Sequence, residues 1–137
     1  MKKIKEDFIF VYADNYIRLP NEGYWTLFLN INKSKAENIC KEFIDKKLVK
    51  KCAYFNNEFK NGILVRFYLD AYDKKSQRLL ISYFLRKVYI RKMKNVRYPN
   101  LVFLFNDAGR FSKLKLEDFI DLNTGTFIDK KIPKEIK

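Results

Sequence analysis

Apolar and polar residues alternate along residues 24–31: Trp25, Leu27, Leu29 and Ile31 fall on one side, and Tyr24, Thr26, Phe28 and Asn30 on the other. A strand, whose side chains point alternately to opposite faces, produces this pattern. Residues 8–12 read as a short strand before it, with Pro20, Asn21 and Gly23 marking a turn between the two. From Ser34 the period changes, and Ala36, Cys40, Phe43 and Ile44 share one helical face. Ser34-Lys35-Ala36-Glu37 has the form of a capping box, in which serine and glutamate each satisfy a backbone donor at the helix start. Lys46 and Lys47 suit the other end, where cations oppose the helix dipole. Residues 49–55 and 62–70 follow as strands, joined by a polar turn bounded by Asn56-Asn57 and Asn61-Gly62. Asp73 caps a second helix, predicted to run to about Lys94 on a stripe that includes Leu80, Phe84, Val88 and Met93. Residues 98–105 form another strand, with Pro99 tolerated at its start, and Asp107-Ala108-Gly109 forms a turn. Residues 114–128 read as a hairpin turning at Asn123-Thr124-Gly125, or as a short helix over residues 116–121.

Stripped of its ends, the order is strand, helix, strand, strand, helix, strand. That order predicts an α+β, ferredoxin-like (split βαβ) antiparallel sheet with two helices on one face, extended by N- and C-terminal strands. The 137 residues are expected to form a single domain with a frayed tail at residues 132–137. Strand periodicity then assigns the faces. Ile63, Val65, Phe67 and Leu69 belong against the helices, which turns Leu64, Arg66, Tyr68 and Asp70 the other way. On the last strand Val102 and Leu104 are assigned to the core, and Phe103 and Phe105 outward. The open face is therefore expected to display Tyr24, Phe28, Tyr68, Phe103 and Arg66. Aromatic rings on a flat sheet stack unpaired bases, and arginine adds stacking or a phosphate contact. The competing expectation is that the N-terminal strand, the C-terminal hairpin or a second subunit covers these rings, because a large bare aromatic patch is unusual on a monomer.

Charge changes the picture from fold to partner. Lys and Arg number 29 against 16 Asp and Glu, a formal net charge of +13. Such an excess repels itself in a folded domain and commonly serves an acidic partner, of which nucleic acid is the most frequent. The densest stretch carries Arg86, Lys87, Arg91, Lys92, Lys94 and Arg97, and a second cluster carries Lys46, Lys47, Lys50 and Lys51. Lys74 and Lys75 read instead as a solvated helix face. The chain has no histidine, which removes Ser-His-Asp and Cys-His catalysis and histidine metal sites together. Its four glycines are scattered, so no glycine-rich phosphate loop is formed. Two cysteines, Cys40 and Cys52, without a CxxC motif, are expected to be free thiols in a reducing compartment. No apolar run approaches the roughly 18 residues a membrane span needs, and the basic start leads into no signal-like apolar region.

Leu27-Phe28-Leu29 resembles the opening of the first signature of RNA-recognition motifs, and residues 60–67 resemble the ends of the second. Gly62 and Leu64 stand where that family places its stacking aromatics, so the resemblance implies no stacking at those two positions. The element order, end strands included, is also similar to that of the cap-binding translation-factor fold, a likeness of order alone. The expected activity is binding rather than catalysis: a small basic module for single-stranded RNA or DNA. It would use sheet-face stacking and Lys/Arg phosphate contacts in the cytoplasm, without cofactor or metal. The alternative is a protein-binding inhibitor or accessory subunit of a nucleoprotein complex. A third reading is a histidine-free nuclease, or a metal-dependent one using carboxylates such as Glu117, Asp118 and Asp121.

Overall fold

The computed structural model of the protein describes residues 2–5, 7–57, 59–105 and 113–128. The chain forms seven strands: β1 (Lys2–Lys5), β2 (Phe8–Tyr12), β3 (Glu22–Leu29), β4 (Lys51–Phe55), β5 (Ile63–Asp70), β6 (Val102–Phe105) and β7 (Lys113–Lys115). Helix α1 (Lys33–Asp45) lies between β3 and β4, and α2 (Lys74–Arg86) between β5 and β6. All the strands join one antiparallel sheet in the order β1-β2-β4-β5-β3-β6-β7. The architecture is α+β, with both helices packed on one face of the sheet. No helix among the described residues is long and apolar enough to cross a membrane.

Both faces of the sheet are packed. On the helix side Ala36, Cys40 and Phe43 of α1 and Leu80, Ile81 and Phe84 of α2 meet Trp25, Val65, Phe67 and Phe103. Phe43 is wedged between the helices and the sheet, 4.7 Å from the Phe67 ring centroid and 4.9 Å from that of Tyr83. Trp25 lies edge-on to Phe103 and Phe119, and its indole N–H donates to Gln77 Oε1 at 2.7 Å. That bond answers the one polar atom of a fully buried indole. A smaller cluster of Phe8, Phe10, Ala53 and Tyr68 occupies the opposite face.

The ends of the helices differ from the sequence expectation. Asn32, rather than the Ser34 box, caps α1, its side chain accepting from the Lys35 amide at 2.8 Å. Asp73 caps α2 through the Ser76 amide and hydroxyl. α2 stops at Arg86, two turns short of Lys94. There the Tyr89 amide bonds back to the Phe84 carbonyl and the Val88 amide to that of Leu85, while Val88 takes φ of 61°. The same closure ends α1, with Leu48 bonded to Phe43, Lys47 to Ile44, and Lys47 at φ of 60°. These are Schellman closures in which a left-handed residue, usually glycine, follows the cap.

The C-terminal segment combines both readings of it. Leu116–Asp118 is a 3-10 turn after β7, and Asn123-Thr124-Gly125 turns the chain so that Ile120 bridges Phe127. The expected turn at residues 107–109 and the tail at 132–137 lie outside the described residues.

Val88 supplies a stability prediction. A β-branched residue in the left-handed region is strained by roughly 1–2 kcal/mol, part of which glycine would relieve. Val88→Gly should raise the urea midpoint at unchanged m-value, by an amount equivalent to about 1 kcal/mol. A lowered midpoint would show that Val88 side-chain contacts outweigh the strain.

Candidate nucleic-acid interface

The sheet face away from the helices can be built up row by row from the pairing. Tyr12 lies opposite Lys51, Lys51 opposite Tyr68, Tyr68 opposite Tyr24, and Tyr24 opposite Leu104. The next row runs from Phe10 through Ala53 and Arg66 to Thr26. Residues directly opposite in antiparallel strands share a face, so aromatic and cationic side chains interleave across this surface. The Arg66 guanidinium carbon is 3.9 Å from the Phe8 ring centroid and 4.4 Å from that of Tyr24, so the cation lies between two ring faces. Lys51 Nζ is 4.4 Å from the Tyr68 centroid and between 5.2 and 6.0 Å from those of Phe10, Tyr12 and Tyr16. It also donates to Glu22 Oε2 at 3.2 Å, and the Tyr16 hydroxyl donates to Glu22 Oε1 at 2.7 Å. Burial first, and the bond to Glu22 second, hold the Tyr16 hydroxyl above the usual tyrosine range.

This arrangement corrects several expectations for the stacking surface. Tyr68 is buried at 3% exposure, beneath Lys51 and against Phe10 and Tyr24. Tyr24 and Arg66 are half-buried and stacked on each other, so neither offers a bare ring or a free guanidinium. Phe103 is wholly buried on the helix side, because its partner in the ladder is Trp25. The β6 assignment was therefore one residue out of register: Phe103 and Phe105 face the core, and Leu104 stands outward. The Lys51 side chain, expected among the phosphate contacts, is mostly buried and paired to Glu22. Of the expected stacking residues Phe28 alone is exposed, at 52%. It adjoins Phe59, which stacks on Phe55 at 5.4 Å and 8°.

The residues packed on this face come from the N-terminal strand, one of the covers that the competing expectation named. Phe8, Phe10 and Tyr12 sit at alternate positions of β2, while Ile9 and Val11 enter the helix-side core. An unbroken apolar run, Phe8-Ile9-Phe10-Val11-Tyr12, is the signature of a strand buried on both faces, and it was available as a signal.

A second region gathers the cations at the C-terminal ends of the two helices. Lys46 Nζ, Arg86 Cζ and Lys87 Nζ lie 5.9, 5.1 and 5.6 Å from the centroid of one ring, Tyr83. The Tyr83 hydroxyl donates to Glu42, and that bond, then burial, pushes its pKa up to about 12. Arg91, Lys92, Lys94 and Arg97 follow on a tight hairpin instead of the expected helix. Met93 and Arg97 bridge, and Lys94 and Asn95 turn the chain at φ of 48° and 61°. Residues 86–99 carry six cations and no carboxylate. All six are exposed, and none has a carboxylate within ion-pair distance among the described residues. Lys50 is exposed on the connection from α1 to β4, its carbonyl accepting from the Ala13 amide.

Two of the carboxylates considered for metal chemistry bind backbone donors. Asp118 accepts from the Lys115 amide, and Asp121 from those of Asn123 and Thr124. No group of three metal-ligating side chains occurs among the described residues. Cys40 and Cys52 are free and buried, and burial, together with the neighbouring Cys40, raises the Cys52 thiol. Comparison with protein families, curated sequences and solved structures returns no significant match.

Two measurements check this geometry. Lys51→Met should cost roughly 3 kcal/mol in urea unfolding at neutral pH, since it removes the cation paired to a buried carboxylate. A cost below about 1 kcal/mol would place Lys51 in solvent. Glu42→Gln removes the charge that holds the Tyr83 proton, so one tyrosine should titrate nearer 10 in alkaline absorbance difference spectra. The native bond favours the neutral phenol. Its contribution is complete below the ordinary tyrosine value and is lost as pH rises through about 12.

Proposed function

We propose that the protein binds nucleic acid through phosphate contacts at the joint C-terminal ends of the two helices and along the hairpin that follows α2. We further infer that β3, α1, β4, β5, α2 and β6 form a ferredoxin-like, split βαβ core, with β1, β2 and β7 as additions. The support for that core is the inner strand order β4-β5-β3-β6, with a helix after β3 and another after β5.

One observation carries the functional reading: six exposed cations in fourteen residues, with no carboxylate among them to neutralise the field. Each helix C-terminus presents about half a negative charge, so Lys46, Lys47, Arg86 and Lys87 answer about one unit between them. The hairpin cations Arg91, Lys92, Lys94 and Arg97 have no such local duty. Phosphate contacts release condensed counterions, and arginine adds a planar fork matched to phosphate oxygens. Stacking contributes less to this reading than the sequence suggested, because the sheet's own cations occupy its ring faces. Phe28, with Phe59 beside it, is the remaining platform for an unpaired base.

Fluorescence anisotropy with short labelled RNA and DNA, single- and double-stranded, over a series of salt concentrations tests the reading. The triple variant Arg86→Glu, Arg91→Glu, Arg97→Glu should lose at least ten-fold in affinity at low salt. Its log–log salt slope should become shallower by about two to three. Unaltered affinity in a folded triple variant, or no binding by the parent protein at low salt, would overturn the proposal.

A further inference from the structure

Strand β3 uses its two edges unequally. Toward β5 it pairs along all eight residues, from Glu22 opposite Asp70 to Leu29 opposite Ile63. Toward β6 it pairs at Gly23, Tyr24 and Trp25. The ladder stops there for a visible reason. Leu101, which the register would set opposite Leu27, donates its amide to the Pro99 carbonyl at 3.1 Å, and its own carbonyl accepts from Leu116 at 2.8 Å. On that side no ladder pair extends beyond Trp25 among the described residues. A groove of about 690 Å³ runs along residues 26–29 instead. Phe28, Val88, Met93 and Leu101 give it apolar walls, and Lys87 and Arg91 stand in its lining. Phe28, Val88 and Met93 are each half exposed, at 52, 52 and 53%.

Three features converge on the occupant. An unused strand edge offers amides and carbonyls at strand spacing, which a polypeptide in extended form satisfies and a sugar-phosphate chain does not. Aliphatic walls at Val88 and Met93 suit apolar side chains rather than base planes. Lys87 and Arg91 have no carboxylate partner among the described residues, and acidic side chains on the occupant would complement them. Val88, held at φ of 61° and exposed, is a strained residue on the groove wall, and strain of this kind concentrates at ligand-binding positions.

We propose that this groove receives an extended segment of a partner protein as an added strand along residues 26–29. That segment alternates apolar with acidic side chains, placing the former against Phe28, Val88 and Met93 and the latter beside Lys87 and Arg91. This interaction goes beyond nucleic-acid binding and does not depend on it.

The test is selection of a displayed random decapeptide library on the immobilised full-length protein, followed by synthesis of the enriched peptides. The expected consensus alternates apolar residues with Asp or Glu. N-methylation of backbone amides along one edge of a selected peptide should weaken binding at least ten-fold, and methylation along the other edge should change it little. Peptide binding should slow amide exchange within residues 26–29. Met93→Glu should weaken it at least ten-fold at unchanged melting temperature, and Arg91→Glu should shift a repeat selection away from acidic residues. Absence of an enriched consensus, or indifference to methylation on both edges, would overturn the inference. So would protection of residues 26–29 by oligonucleotide but not by peptide, which would assign the groove to nucleic acid. Intact salt-sensitive oligonucleotide binding with failed peptide selection would sink this inference and leave the proposed function standing. The reverse pairing of results would do the opposite.

Discussion

The molecule is organised around the pairing of β3. Its eight residues align with β5 without interruption, and that alignment puts Trp25, Leu27 and Leu29 on the same face as Val65 and Phe67. A slip of one residue would turn all of them outward together, since side chains alternate with a period of two. The register is fixed further by Trp25, whose ring packs on Phe103 and Phe119 and whose N–H is answered by Gln77 of α2. A single side chain thereby ties the central strand, the β6 edge, the C-terminal segment and the second helix to one another. Gly62 keeps the same alignment possible at the other end. A Cβ there would lie 2.2 Å from the Leu29 carbonyl oxygen, and its φ of 155° is one that side chains rarely adopt.

Charge is divided between two uses that the sequence presents alike. Lys51 and Arg66 sit among rings on the sheet face, where a cation gains from ring quadrupoles what it loses in hydration. Arg66 lies between the Phe8 and Tyr24 rings and hydrogen-bonds Tyr68, while its Nε is buried without a hydrogen-bond partner. Glu22 neutralises Lys51 with help from the Tyr16 hydroxyl. Lys51, paired to Glu22, adds to the net charge of +13 but little to the field that an incoming polyanion meets. The cations of residues 86–97 lie at the end of α2 and on the turns after it, all exposed even where they approach the Tyr83 and Tyr98 rings, and with no carboxylate among them. The two groups differ in availability, which is decided by the fold.

How far the sequence could be read follows from the same physics. β3 and β5 were legible because their apolar sets alternate, as was the Asp73 cap. β6 was not: Leu101-Val102-Phe103-Leu104-Phe105 is apolar throughout, so nothing local chooses the face, and the pairing of Phe103 with Trp25 sets it instead. The end of α2 was hidden because Val88 and Met93 continue the helical stripe, while Val88 takes a left-handed conformation with no glycine to announce it. The cage around Lys51 was hidden because its rings come from β2, β5 and the loop after β2, far apart in sequence. Arg86, Lys87, Arg91, Lys92, Lys94 and Arg97 were found as a group since their clustering is local, though on a helix end and hairpin rather than one long helix.

The break in the β3–β6 ladder and the basic hairpin are consequences of one chain path. Because α2 closes at Val88, residues 89–100 must return to the sheet as a hairpin and a proline-containing approach, and they reach β3 beside Trp25 rather than farther along it. The same path leaves residues 26–29 without ladder partners on the β6 side and places Lys87 and Arg91 in the lining of the groove beside them. Those two cations consequently belong to both proposed surfaces. An acidic strand in the groove would neutralise two of the six cations offered to a polyanion. The two ligands would then oppose each other, and linkage makes the penalty reciprocal: whatever factor the strand takes from polyanion affinity, the polyanion takes from the strand. Salt acts unequally on the pair, since counterion release dominates polyanion binding while backbone pairing and apolar contact sustain the strand. Rising ionic strength would accordingly shift occupancy from the hairpin toward the groove without any change in the fold.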